Sequence, residues 1–392
     1  MKLTKLMLSA CIAALALVSC NKQDTTPEAS GRLKTVEISL ENIQFTKAPT
    51  DVFLTASDDV LLNSFKIFLT DGSALYTTIE GAPEVQTFYY SNETEALPAT
   101  AVIHYVPAAV NKVVVVGNVD EDWGDDYTTY ADLKAATLSI DVQQDYKNLT
   151  LYGEGGLVSA GTVHDHEDNK TYNVYEADIQ VAPLIARFEL DGFAMVFNAE
   201  NPKYDKVEVK QIALNGYYTS TTINPLAPAT LKDRVGTIND VNAFKFFADN
   251  LTATENTWYF DALPEGDVVL ARPAAAGADG QFIAVDDMAG KKAYHFFPGS
   301  DAPQIFLELD VYAAGSATAT PSYIYSKGFK TSTGESVTFQ PGYVYRMNFQ
   351  GAAGSGDGDL PFDEDDINEL DRCLEITVEP IKWSVVTIFP EF

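Results

Sequence analysis

The sequence predicts an all-β chain of packed sheets, with a sandwich architecture, on three grounds. Apolar and polar residues alternate in short runs rather than at helical spacing. Gly, Pro, Asn and Asp separate those runs. Tyr and Phe number 20 and 22, and aromatic rings suit a half-buried pleated surface. Residues 36–41 (VEISLE) alternate strictly, the mark of a strand with one face buried. Residues 65–69 run into the turn pair Asp71-Gly72. Four successive valines, 113–116, read as a strand buried on both faces. Further strands are expected at 149–152, 187–190, 206–214, 257–261, 304–312 and 343–349, whereas helical spacing is confined to 130–136 and 240–248.

The N-terminus carries an export signal. Lys2 and Lys5 precede a thirteen-residue apolar stretch, 6–18, which is too short for a permanent membrane span. It ends in Leu17-Val18-Ser19-Cys20, similar to the bacterial lipobox, in which the cysteine thiol takes a diacylglycerol and cleavage leaves Cys20 as the first residue. Residues 21–32 are polar, with Pro27 and Gly31, and read as a tether. Position 21 is Asn, which leaves onward transport to the outer membrane open.

Beyond the leader about 370 residues remain, enough for two ordinary domains with real cores. The sequence holds 26 Lys and Arg against 56 Asp and Glu, a formal charge of −30. Such a field repels a phosphate backbone, so nucleic acid is excluded as a partner. Of 3 cysteines, Cys11 leaves with the signal and Cys20 is acylated. Cys373 is then left without an intramolecular disulfide partner, and packing must supply the stability.

The expected organisation is a signal peptide at 1–20, a tether and removable first strand at 21–47, β-sandwiches at 48–180 and 181–352, and a tail at 353–392. The tail opens with a glycine-rich and then strongly acidic stretch, 351–367, suited to a solvated linker. It turns apolar again at 374–378 and 383–389, strand-like segments that need an acceptor sheet. Residues 36–41 read VEISLE and residues 374–379 read LEITVE. Val36, Ile38 and Leu40 thus match Leu374, Ile376 and Val378, so the two segments can occupy one groove. Three such burials are worth roughly 5–9 kcal/mol before entropy. In the second tail segment Trp383 and Val385 share one face while Val386 and Ile388 share the other, which implies a bulge or burial on both sides.

Residues that suggest other chemistry have plainer readings. His164-Asp165-His166-Glu167-Asp168 offers metal-binding side chains but reads as a solvated loop with no third histidine nearby. Residues 120–126 (DEDWGDD) lack the spacing of an EF-hand and read as a surface turn. The glycine clusters at 153–156 and 351–357 have no following Lys-Ser/Thr, so neither is a phosphate loop. His104 and His295 sit in apolar aromatic runs and read as strand residues packed in a sheet. Carboxylates are too abundant for any pair to stand out as catalytic. No enzyme activity, metal site or cofactor is expected.

The order of these features resembles the fimbrillins, the type V pilins of Bacteroidales. The residues that carry the resemblance are the lipobox at Cys20, strand 36–41, the 65–72 strand and turn, and 111–118 (NKVVVVGN). Ile185-Ala186-Arg187-Phe188, 342–348 (GYVYRMN) and the tail LEITVEPIKWSVV complete the set. Each motif is weak by itself, and together they span almost the whole chain. The resemblance implies two transthyretin-like β-sandwich domains with a C-terminal donor-strand extension. It implies export as an outer-membrane lipoprotein precursor and then assembly into a cell-surface fimbrium. A trypsin-like protease would remove the first strand, and the tail strands of another pilin subunit (Leu374, Ile376, Val378, Trp383, Val385) would fill the groove. Two bonds compete for the cut, Lys47-Ala48 and Arg32-Leu33. A cut after Arg32 leaves strand 36–41 in place and opens nothing, which favours Lys47, although the family usually has Arg there. An uncut chain would suit a basal anchor. Two other readings stand beside this one: a monomeric surface lipoprotein that binds glycan or protein through Trp123, Tyr89-Tyr90 and Tyr217-Tyr218, and a secreted hydrolase.

Overall fold

The computed structural model describes residues 34–40, 60–79, 87–231, 259–272, 281–285, 292–330, 336–349, 373–382 and 385–387, save short stretches at 94–96, 99, 144, 146–147, 166–169, 198–202, 225–227, 264 and 267. Almost every described element is a strand; the helices are one α-helix at Tyr130–Ala135 and a 3-10 turn at Ile140–Val142. The fold class is all-β. The α-helix lies where the spacing predicts it. Thr129 caps it by accepting from the Asp132 amide, Asp132 returns the bond to the Thr129 amide, and Leu133 is its buried anchor. The expected helix at 240–248 lies outside the described residues.

Two sheets are built from the first half of the chain. A four-stranded sheet runs in the order Val158–Asp165, Lys170–Ile179, Lys34–Leu40, Thr100–Val106. A six-stranded sheet runs Ala182–Pro183, Leu151–Gly156, Lys112–Gly117, Ser64–Thr70, Leu75–Tyr76, with Tyr89–Ser91 also on Ser64–Thr70. Their apolar faces meet in one core: Val36, Ile38 and Ile103 of the first sheet and Phe65, Ile67, Val113 and Val115 of the second belong to a single buried cluster. All four valines 113–116 are fully buried, as a two-sided strand requires. The glycines at 153–156 lie in a strand. A Cβ on Gly153 would stand 2.4 Å from the Gln180 carbonyl and 2.9 Å from Ile179 Cγ2, so the chain leaving the first sheet passes this strand of the second at a distance only glycine allows.

The second half forms a ten-stranded sheet, in the order Tyr259–Ala262, Tyr204–Asn215, Gln304–Ala313, Ala319–Lys330, Cys373–Lys382, Tyr343–Phe349, Ala186–Phe197, Gln281–Val285, with Val269–Ala271 also on Tyr204–Asn215 and Lys292–Phe296 also on Ala186–Phe197. Its core centres on Phe188, whose ring stacks on Phe296 at 4.5 Å and Phe329 at 5.2 Å and meets Phe339 edge-on at 5.2 Å. The halves are joined by a small sheet in which Tyr218–Thr222 pairs with Thr137–Ser139. They also share a buried polar node, where His295 Nδ1 bonds the Gln143 carbonyl at 2.7 Å and His295 Nε2 faces Arg187 at 3.1 Å. Burial, and then the Arg187 charge, push the His295 imidazole down to about 4.

Candidate assembly site

The first strand, Lys34–Leu40, sits in the interior of its sheet. It pairs parallel with Lys170–Ile179 and antiparallel with Thr100–Val106, Ile38 lying between Ala177 and Ala101. Val36 and Ile38 are 0% exposed and Leu40 is 8% exposed. The alternating burial is the pattern read from the sequence. At its N-terminal end the ladder slips by a bulge, and Tyr105 takes a φ of +59° opposite it. Thr35 Oγ1 lies 3.2 Å from His104 Nδ1 across the bulge. His104 faces outward rather than into the sheet, because Ala101, Ile103 and Val106 take the inner positions of its strand.

Lys34 is the unexpected member of this strand. It is only 6% exposed, its ammonium donates to the carbonyls of Ala108 (3.3 Å) and Val110, and it lies 4.5 Å from the centre of the Tyr175 ring. Burial pushes its pKa below the ordinary lysine value. The sequence held one signal for this: Lys34 precedes Val36 by two residues and so shares its inward face.

The tail strand, Cys373–Lys382, is an interior strand as well, and its acceptor is the chain's own second sheet. It pairs parallel with Ala319–Lys330 and antiparallel with Tyr343–Phe349. The first strand has the same kind of slot, one parallel neighbour and one antiparallel. Among the described pairings the tail strand alone joins the half-sheet that ends at Ala319–Lys330 to the one that ends at Tyr343–Phe349. Leu374, Ile376 and Val378 all lie on it. Val385 lies on Val385–Thr387, which pairs parallel with Val60–Leu62. Asn118, in a left-handed conformation at the end of the valine strand, steadies that partner by donating to the Leu61 carbonyl at 2.7 Å. Cys20, Arg32, Leu33, Lys47, Ala48 and Trp383 lie outside the described residues.

The alternative sites resolve into packing. Residues 158–165 form a hairpin with Lys170–Ile179, so His164 pairs with Thr171 in a ladder where a loop was expected; His166 lies outside the described residues. The described residues contain no cluster of three metal-binding side chains. The acidic turn at 120–126 is held by the buried Lys66 ammonium, which bonds Asp125 at 2.5 Å and the Glu121 carbonyl at 2.6 Å. Trp123 packs edge-on against Phe68 at 5.9 Å and Tyr127 at 5.6 Å, Tyr90 stacks on Phe65 at 4.9 Å, and Tyr217 and Tyr218 are buried. Those aromatics pack against the core.

No family model and no curated protein matches the sequence. Among solved structures, a candidate cell adhesion protein from Bacteroides eggerthii matches with a TM-score of 0.53 at 17% identity, over 93% of this chain and 100% of its own. A candidate cell adhesion protein from Parabacteroides distasonis matches with a TM-score of 0.51 at 14% identity, over 91% and 98%. The chain has the fold of these two proteins. A looser likeness, TM-score 0.34 at 9% identity, covers 89% of this chain and 99% of the C-terminally truncated tip fimbrial protein Mfa3 from Porphyromonas gingivalis. At that score it carries no argument. The first strand and the tail strand each lie between one parallel and one antiparallel neighbour, in separate sheets.

Proposed function

We propose that the chain is a structural, non-enzymatic pilin subunit of a cell-surface fimbrium that supports adhesion. It is exported as a lipoprotein acylated at Cys20, and a trypsin-like protease cuts it after Lys47. One observation carries the reading: the first strand and the tail strand share a residue pattern and occupy slots of the same kind. Loss of the first strand strips two neighbours of their ladder partners and bares the core face that Val36, Ile38 and Leu40 cover. The tail strand of a second copy has the right side chains to close that gap. A tail that leaves its own sheet gives up ladder bonds and regains them in the neighbour's. The exchange is therefore close to balanced, and the proteolytic opening supplies the drive. Each subunit gives a tail and takes one, a head-to-tail contact that propagates as an open filament. The adhesion role of the two structural relatives points the same way.

The test uses non-lipidated precursor treated with trypsin, with N-terminal sequencing and size-exclusion chromatography. The expected product begins at Ala48 and grows into oligomers that an excess of a peptide spanning residues 370–389 caps at small size. A product that begins at Ala48 and keeps its C-terminal Phe392 by intact mass yet stays monomeric, or oligomers indifferent to the peptide, would overturn the reading.

A further inference from the structure

The alternation of the two segments leaves their register open. A slip of one residue turns the apolar side chains to the wrong face, but a slip of two keeps them on it. The slot around Lys34 removes that ambiguity. Two main-chain carbonyls, of Ala108 and Val110, and the face of Tyr175 converge on the Lys34 ammonium at the end of the strand. Carbonyl oxygens and a ring face attract a cation and offer nothing to an apolar side chain. When residues 374, 376 and 378 are laid over 36, 38 and 40, the residue that falls on Lys34 is Arg372. A slip of two residues puts Leu370 or Leu374 there instead. The reversed strand direction puts Pro380 there, which has no donor to give.

We infer that the Ala108 and Val110 carbonyls and the Tyr175 ring form a cation socket that sets the register and direction of the incoming strand, with Arg372 of a second copy of this chain as its occupant. The inference rests on the strand-exchange reading. It adds a specificity element that alternation does not contain. Arginine suits the place: its guanidinium donates to several oxygens at once and stacks on an aromatic face.

The test uses the full non-lipidated chain with a site for a sequence-specific protease inserted after Lys47, so that Arg372 itself is not cut. After cleavage, peptides spanning residues 370–389 compete with oligomer growth, and the concentration for half-suppression is read by analytical ultracentrifugation. The Arg372→Lys peptide is expected to match the wild-type peptide. The Arg372→Gln peptide is expected to need roughly ten- to a hundredfold more, the usual worth of a hydrogen bond to a charged group. The Ile376→Asp peptide should be inactive. Equal potency of Arg372→Gln and wild type, with Ile376→Asp inactive, would remove the socket and leave strand exchange standing. An inactive wild-type peptide, or an Ile376→Asp peptide as potent as wild type, would sink the exchange reading and the socket with it.

Discussion

Truncation of Ile38 to alanine measures how much of the fold depends on the first strand. The side chain is 0% exposed, and its partners on the two flanking strands are Ala177 and Ala101, both buried. Alanine neighbours have no side chain to lean into a gap, so the site should collapse poorly around the deletion. Loss of a buried Ile to Ala costs about 2–5 kcal/mol, and poor collapse places this case near the upper end, at about 4 kcal/mol. That is a large share of a typical folding stability of about 5–15 kcal/mol. The assay is urea denaturation of the uncut, non-lipidated precursor, read as a lower midpoint with an unchanged slope. Val102→Ala is the control: it lies on the next strand of the same sheet but is 39% exposed, and should shift stability by no more than about 0.5 kcal/mol. If Ile38→Ala costs as little as Val102→Ala, the first strand closes no core and its removal would open nothing.

Acid should loosen the joint between the halves. His295 has its folded pKa lowered from 6.5 to about 4, so the unfolded chain binds the extra proton first and stability drops as pH falls from 6.5 towards 4. In His295→Gln that decline should flatten, by about 1.4 kcal/mol for each pKa unit removed, in thermal melts taken at stepped pH; an unchanged slope would refute the role of this node. Gly153→Ala should cost about 1–3 kcal/mol by overpacking against the Gln180 carbonyl. Gly156→Ala, whose added Cβ would meet its nearest atom at 4.0 Å, should be tolerated; equal effects in denaturant titrations would contradict the close approach of the sheets.

Much of this fold was legible because its strands are local patterns. The alternation of 36–41, the valine run and the capped helix at Tyr130–Ala135 each declare their burial within a few residues. The expected strand at 149–152 caught the start of Leu151–Gly156, but its glycine end and the hairpin strand Val158–Asp165 were hidden, since glycine and polar residues look like loop until a neighbouring sheet demands closeness or an outer edge allows polarity. His104 was misjudged because neighbouring residues in a strand face opposite ways, and apolar neighbours in sequence are not neighbours in space. The pairing partner of the tail was not legible at all. An amphipathic strand fits any open edge of suitable shape, and which edge it takes is decided by the three-dimensional sheet. The socket around Lys34 was hidden for a related reason, as its ligands are main-chain carbonyls that leave no trace in side-chain identity.

The interchange of strands can be trapped chemically. In the first sheet Glu37 pairs across from Val102, and Glu375 holds the corresponding place in the tail. A non-lipidated chain without its signal peptide, carrying Val102→Cys and Glu375→Cys with Cys20→Ser and Cys373→Ser, would be cut after Lys47, allowed to assemble, oxidised, and run on non-reducing gels. Strand exchange in the proposed register predicts a ladder of disulfide-linked multimers from cut protein and none from uncut protein. Oligomers that form without the ladder, or a ladder of equal strength before the cut, would contradict it.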